Sequence, residues 1–256
     1  MLSSPPIPLS RVVAHLDTLL QVQGFPDYPR AVNGLQVEAP GPVSHVAVAV
    51  DAAEYSIRRA VEVGANLLVV HHGLFWAGSS PLTGRLYRRV APLLQAKLAL
   101  YSVHLPLDAH PDLGNCMGLV RALELDPMDR FGSYEGRDIG YLAQTHEPLA
   151  AFRDRVRAEV GSPVEVIAGG PDMVRRVAVI TGSGAGFVEE ALRAGADTLL
   201  TGEAAHHTVV DAREMGLNVV LAGHYRTETY GVRAVGAHLE ETFGLPWTFL
   251  DHPSTL

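Results

Sequence analysis

The chain has 256 residues, of which 47% are hydrophobic and 19% charged, and it carries a formal net charge of −8. That length is ample for one large domain or two lobes with packed cores, and the acidic balance argues against an electrostatic grip on nucleic acid or anionic lipid. A single cysteine, Cys116, excludes an intrachain disulfide and a cysteine-rich zinc site, whereas twelve histidines are an excess that needs a chemical reason.

The first residues, MLSSPPIPLSRVV, lack a basic stretch followed by an apolar one, and no apolar run approaches the ~20 residues needed to span a bilayer. The expectation is a cytoplasmic protein without a membrane partner. Ser10 has the chemistry of a helix N-cap, and Val12, Val13, Leu16, Leu19 and Leu20 follow at helical spacing until Gly24 and Pro26 end the run. PRAVNGLQVEAPGP reads as turn-rich around Asn33-Gly34. A βαβ pattern comes next: HVAVAV as a strand, AAEYSIRRAVEV as an amphipathic helix closed by Gly64, and NLLVV as a strand. Residues 86–97 predict a helix, LALYSV a strand and GNCMGLVRAL another helix, with Asp112 and Asn115 as capping candidates. The stretch 131–170 is less regular, with strands expected near 138–144 and 164–168 and a helix over 149–160. RVAVIT, FVEEALRA, DTLLT, HTVVDAREM and NVVLA then alternate strand and helix, before a helix at 230–243 and a strand at 246–250.

Two halves of this pattern echo each other. VAVAVDAAEYSIRRAVEVGANLLVVHH and VAVITGSGAGFVEEALRAGADTLLTGE align Val46 with Val177, Gly64-Ala65 with Gly195-Ala196 and His72 with Glu203. LYSVHLPLD and VLAGHYRTE then pair His104 with His224 and Asp108 with Glu228, which leaves the longer connection in the first copy, around FWAGSSPLTGR. Shared βαβ patterning explains hydrophobic alternation, but not the Gly-Ala pair together with the His-x3-Asp/Glu spacing. The expected fold class is α/β, with two similar lobes related by internal duplication, mostly parallel sheets and a metal site in the cleft between them. The expected division is 1–128 for the first lobe, 129–229 for the second, with 230–256 packing on the first and no inserted extra domain.

In a parallel sheet, functional groups collect beyond the carboxyl ends of the strands. The polar exceptions fall there: His71-His72 after one strand, then His104, Glu203 and His224 after three others. Neighbouring strand residues point to opposite sides, so His71 and His72 suit two ions roughly 3.5–4 Å apart better than one. Asp108 and Glu228 supply the negative charge that two divalent ions require. Three imidazoles with two carboxylates favour zinc, iron, manganese, cobalt or nickel over calcium or magnesium. Neutral imidazoles bind metal, so affinity is expected to fall below pH ~6.5. His15, His45, His110, His146, His238 and His252 read as ordinary structural or surface residues. His206-His207 fit support of the ligands, a substrate contact or simply a helix start, and Arg226 is near enough to Glu228 in sequence to meet an anionic substrate. Cys116 reads as a small buried apolar residue.

The stretches NGLQV, VVHHGLFW, YSVHLPLD with LGN after it, TGEAAHH and GHYRTE together resemble the dinuclear metal centre hexameric proteins. These are also known as NGG-interacting-factor-three-like proteins and as GTP cyclohydrolase type 2 homologues. The resemblance runs from about residue 33 to 228. It implies His71 and His224 as ligands of one metal, His72 and Asp108 of the other, Glu228 as the bridge, His104 lining the site, and a toroidal homohexamer. VNGLQVE departs from the family's Asp-Asn-x-Gly-Leu-Gln form at the position that would give Asn33 a substrate role. The reaction it implies is hydrolytic opening of the purine ring of a nucleotide such as GTP with release of formate; Glu203 and His104, near the ligands in the strand-end pattern, are the candidates to shuttle the proton. A metal-dependent phosphoesterase or amidohydrolase, or a non-catalytic metal-binding regulatory or assembly protein, are the alternatives.

Overall fold

Residues 6–29, 31–76, 78 and 80–254 are described by a computed structural model. Ala77 and Ser79, in the connection that the sequence makes longer in the first copy, lie outside them. In chain order the elements are β1 (Ile7–Pro8), α1 (Leu9–Leu19), β2 (Gly34–Val37), β3 (Pro42–Val43), β4 (Val46–Asp51), α2 (Glu54–Glu62), β5 (Leu67–His72), α3 (Gly84–Ala96), β6 (Ala99–Ser102), α4 (Leu105–Ala109) and α5 (Asn115–Ala122). They continue with β7 (Asp126–Tyr134), β8 (Arg137–Pro148), α6 (Leu149–Val160), β9 (Glu165–Ile167), β10 (Met173–Val179), α7 (Val188–Arg193), β11 (Thr198–Thr201), α8 (His206–Met215), β12 (Asn218–Leu221), α9 (His224–Thr227), α10 (Thr229–Phe243) and β13 (Trp247–Phe249).

These elements form two units. The first comprises the residues up to Leu107 with Gly231–His252, and the second Asp108–Tyr230 with Pro253 and Ser254. The sequence places the boundary at 128; the structure places it within α4, because α5 turns Cys116, Leu119 and Val120 into the core of the second unit.

In the first unit a sheet of order β13-β4-β5-β6-β2 is parallel throughout except for β2, which pairs antiparallel with β6. β1 and β3 form a separate two-stranded ribbon. β4 and β5 are apolar almost end to end and almost wholly buried, as strands covered on both faces must be. α2 presents Ile57 and Ala60 to this sheet, and Leu93 of α3 joins the same core. NGLQV is thus an edge strand rather than a turn: Gly34 opens it at φ 101°, a backbone angle glycine accepts without strain. The N-cap of α1 is Pro8 rather than Ser10, so the helix already includes Leu9 and Ser10. Among the described residues no helix is long and apolar enough to cross a membrane.

In the second unit the order is β7-β8-β10-β11-β12-β9. β10, β11 and β12 pair parallel; β8 and β9 flank them antiparallel and β7 pairs antiparallel with β8, so this sheet is mixed rather than mostly parallel. The stretch that looked irregular is a long β7–β8 hairpin, turned at Glu135-Gly136, both at positive φ. Phe152 of α6 is fully buried in the core of this unit. Phe152→Ala is expected to cost about 3–5 kcal/mol; urea unfolding that shows a loss of less than about 1 kcal/mol would mean that the cavity closes.

The internal echo survives in two of three strands. Val46 stands opposite Leu67 as Val177 stands opposite Thr198. The third strand differs: Leu68 faces Leu100, but Leu199 faces Val219, one residue earlier than pairing His104 with His224 requires. Gly223, at φ 89°, takes up the extra residue before His224.

Candidate metal centre

β5 is flanked by β4 and β6, so the carboxyl ends of three strands set the surroundings of His71 and His72. Asp51, the last residue of β4, lies in register with His72 and accepts its Nδ1 hydrogen at 2.9 Å. His71 is fully buried and donates Nδ1–H to the carbonyl of Val103, just past β6, at 3.0 Å. His104 donates Nδ1–H to Asp27 Oδ1 at 2.7 Å. Asp27 Oδ2 also accepts Asn33 Nδ2–H at 2.8 Å and the backbone N–H of Leu105 at 3.1 Å, while Asn33 Oδ1 accepts the N–H of His104 at 2.7 Å. Burial opposes ionisation of Asp27, but the His104 ring, with Asn33 and the N–H of Tyr28, holds its carboxyl below the usual range.

Each of the three rings therefore has Nδ1 bonded to an oxygen, the arrangement that outer partners impose on metal-ligating histidines. One ring nitrogen of each lies within 4.8 Å of the others, and the ring centres are 4.7–5.7 Å apart. The turn after His72 is fixed by Gln36, whose Oε1 accepts the N–H of Leu74 at 2.7 Å. A side chain at Gly73 would overlap that amide and Ser102 Oγ.

The second unit carries its own set, at the carboxyl ends of β10, β11 and β12. Glu203 Oε1 accepts Nδ1–H of His224 at 2.9 Å, and Glu228 Oε1 lies 3.1 Å from His224 Nε2. Glu228 is 3% exposed and Asp108 6%. Asp108 Oδ1 accepts Asn115 Nδ2–H at 2.8 Å and the Thr181 hydroxyl at 3.1 Å. Burial alone would lower the pKa of His224; the hydrogen bonds and charges of Glu228 and then Glu203 overcome it and push His224 up to about 9. Gly182, at φ +64°, makes the space: a Cβ there would overlap Glu228 Oε1 and sit 3.3 Å from His224 Nε2.

The remaining sequence candidates separate. Asn33 spends both ends of its amide on Asp27 and His104, so it braces the imidazole rather than reaching outward. Glu203 is engaged with His224. His206 and His207 are exposed in the first turn of α8 and, among the described residues, hydrogen-bond to no ligand candidate, which fits the helix-start reading. Arg226 is half-buried, with its guanidinium 5.9 Å from the Tyr225 ring. Asn115 is not a cap: Gly114 takes that position and Asn115 braces Asp108. Cys116 is buried, which, with Asp108 nearby, pushes its thiol up to about 12. Sequence reasoning missed Asp27 and Asp51. Asp51 had the signal, a carboxylate at the end of an apolar strand; Asp27, in GFPDYPR, had none.

A model of the Duf34/NIF3 (NGG1p interacting factor 3) family matches residues 7–254. The chain belongs to the Duf34/NIF3 family. A curated relative from Deinococcus radiodurans, called a GTP cyclohydrolase 1 type 2 homolog, is 42% identical and aligned over 96% of this chain and 93% of its own length. A Halobacterium salinarum relative of the same description is 43% identical over 97% of this chain and 99% of its own. The crystal structure of the Thermus thermophilus protein TTHA1606 superposes with a TM-score of 0.89 at 42% identity, covering 98% of this chain and all of that one. Within this Duf34/NIF3 chain, buried histidine and glutamate groups of the kind described could hold a metal ion.

Proposed function

We propose that His71, His72, Asp108, His224 and Glu228 hold two divalent transition-metal ions per chain, and that the protein hydrolyses a small molecule there. The observation that carries this reading is the bonding of Nδ1 in His71, His72 and His224 to an oxygen acceptor, the orientation that outer partners give metal-ligating histidines. Two buried carboxylates complete a nitrogen-and-oxygen donor set suited to zinc, iron, manganese, cobalt or nickel. The ligand pairing implied by resemblance is His71 with His224 and His72 with Asp108, with Glu228 bridging.

Bound divalent ions would supply Lewis acidity that lowers the pKa of a water from about 15.7 towards ~7. The chain's own groups then have distinct tasks. Asp27 keeps Nδ1 of His104 protonated, so His104 Nε2 is the atom that accepts a proton and passes it to the leaving group. Glu203 orients His224 rather than shuttling the proton. The name shared by the relatives supports a nucleotide such as GTP as substrate, with the ring opened and formate released, and the resemblance supports a homohexamer. The test is formate release from GTP by metal-loaded protein, by chelated protein and by Asp108→Ala. Formate only from the loaded wild type is expected. Loaded, assembled protein that releases phosphate instead makes it a phosphoesterase, and one that consumes nothing makes it a non-catalytic metal protein.

The pH dependence of metal binding differs from that of ordinary histidines. In the metal-free protein the carboxylates beside His224 keep its ring protonated up to about pH 9. A divalent ion must displace that proton, because imidazolium does not coordinate. Affinity is therefore expected to rise about tenfold per pH unit from 7 to about 9, rather than levelling off above ~6.5. Titration calorimetry at about pH 7.5 in buffers of different ionisation enthalpy should show proton release, and none would contradict the assignment.

A further inference from the structure

Two aromatic side chains border the imidazoles of the first unit. The Trp76 ring stands edge-on to His104, with centres 5.0 Å apart and planes at 80°, and lies 6.0 Å from His72. Tyr28 approaches the same His104 ring from a different segment, at 5.3 Å and 45°. Phe75, next to Trp76, is partly buried against the apolar core of the unit. Trp76 is half-buried and Tyr28 is 49% exposed, so both leave apolar surface to water beside the ligands. Both are held in place: the indole N–H of Trp76 donates to the Gly73 carbonyl at 2.9 Å, and the N–H of Tyr28 donates to Asp27 Oδ1 at 2.7 Å. Trp76 is therefore anchored to the turn that follows His72, and Tyr28 to the carboxylate that holds His104.

We infer that Tyr28 and Trp76 form a stacking platform that selects a planar heteroaromatic ring, a nucleobase or a close analogue, as the part of the substrate seated beside His104. This deepens the hydrolase reading and rests on it for the chemistry, but not for the binding. A π-face stacks on any such ring and offers nothing comparable to an aliphatic sugar phosphate, so the platform sets substrate class. Proximity to His104 would put the ring, rather than a phosphate chain, next to the proton-carrying nitrogen.

The chain has two tryptophans, so a Trp247→Phe background leaves Trp76 as the sole indole reporter. Metal-loaded protein in that background is titrated with guanosine and, as control, ribose 5-phosphate. Saturable quenching by guanosine alone is expected. By calorimetry, Tyr28→Ala and Trp76→Ala should each weaken guanosine binding roughly 5- to 150-fold, whereas Tyr28→Phe and Trp76→Phe, which keep a ring, stay within about threefold. Metal content and circular dichroism are recorded on every sample. Metal-loaded, folded protein that shows no quenching, or alanine variants that bind guanosine as the wild type does, overturn the platform and leave the metal reading intact. Guanosine binding with this mutational pattern in protein that retains no metal keeps the platform and removes the metal reading.

Discussion

His71→Ala is expected to weaken retention of a divalent ion by more than about 100-fold, beyond the 10- to 100-fold typical of losing an outer partner. His71 is fully buried, its Nδ1 bonds the Val103 carbonyl, and one of its ring nitrogens lies within 4.8 Å of those of His72 and His104. The ring also fills space at the end of β5, so the variant will lose stability through the cavity it leaves. Competition against a chromophoric chelator separates the two effects, because affinity is read on the folded fraction. Folded His71→Ala protein that holds its metal as tightly as the wild type would remove His71 from the ligand set.

Gly182→Ala should also weaken the site, although it removes no ligand. Two costs are distinguishable. A non-glycine residue at φ +64° carries backbone strain of about 1–2 kcal/mol. The added Cβ also overlaps Glu228 Oε1 and presses on His224 Nε2, so the carboxylate must move from the position its burial defines. Gly136→Ala is the control: Gly136 also has positive φ, at 83°, but a Cβ there meets open space. Thermal unfolding of metal-free protein should show both variants destabilised by their backbone strain. Only Gly182→Ala should lose metal affinity, by roughly tenfold or more. Equal metal affinity in the two variants would mean that Glu228 tolerates displacement and does not ligate.

The strand ends were readable in the sequence because β4, β5, β6, β11 and β12 are short, largely buried and mostly apolar runs, beyond which a histidine or glutamate stands out. The same contrast was available for Asp51. Asp27 was beyond reach, because its partner His104 lies 77 residues away and the segment around it has no periodicity to read. Asn33 looked like a turn residue because Asn-Gly is a strong turn signal, yet Gly34 uses its positive φ to open an edge strand. The β7–β8 hairpin was obscured by Pro127 and Gly132 inside β7, residues that ordinarily argue against a strand interior. The one-residue slip between the β5–β6 and β11–β12 registers is a tertiary pairing choice that hydrophobic pattern leaves open when both faces of a strand are buried.

His71, His72, Asp108, His224 and Glu228 are proposed to hold a pair of cations, and that proposal fixes a stoichiometry. Elemental analysis of untagged protein, purified without chelators and quantified per polypeptide, tests it most directly. Two equivalents of divalent transition metal per chain are expected; one or none would contradict the five-residue ligand set.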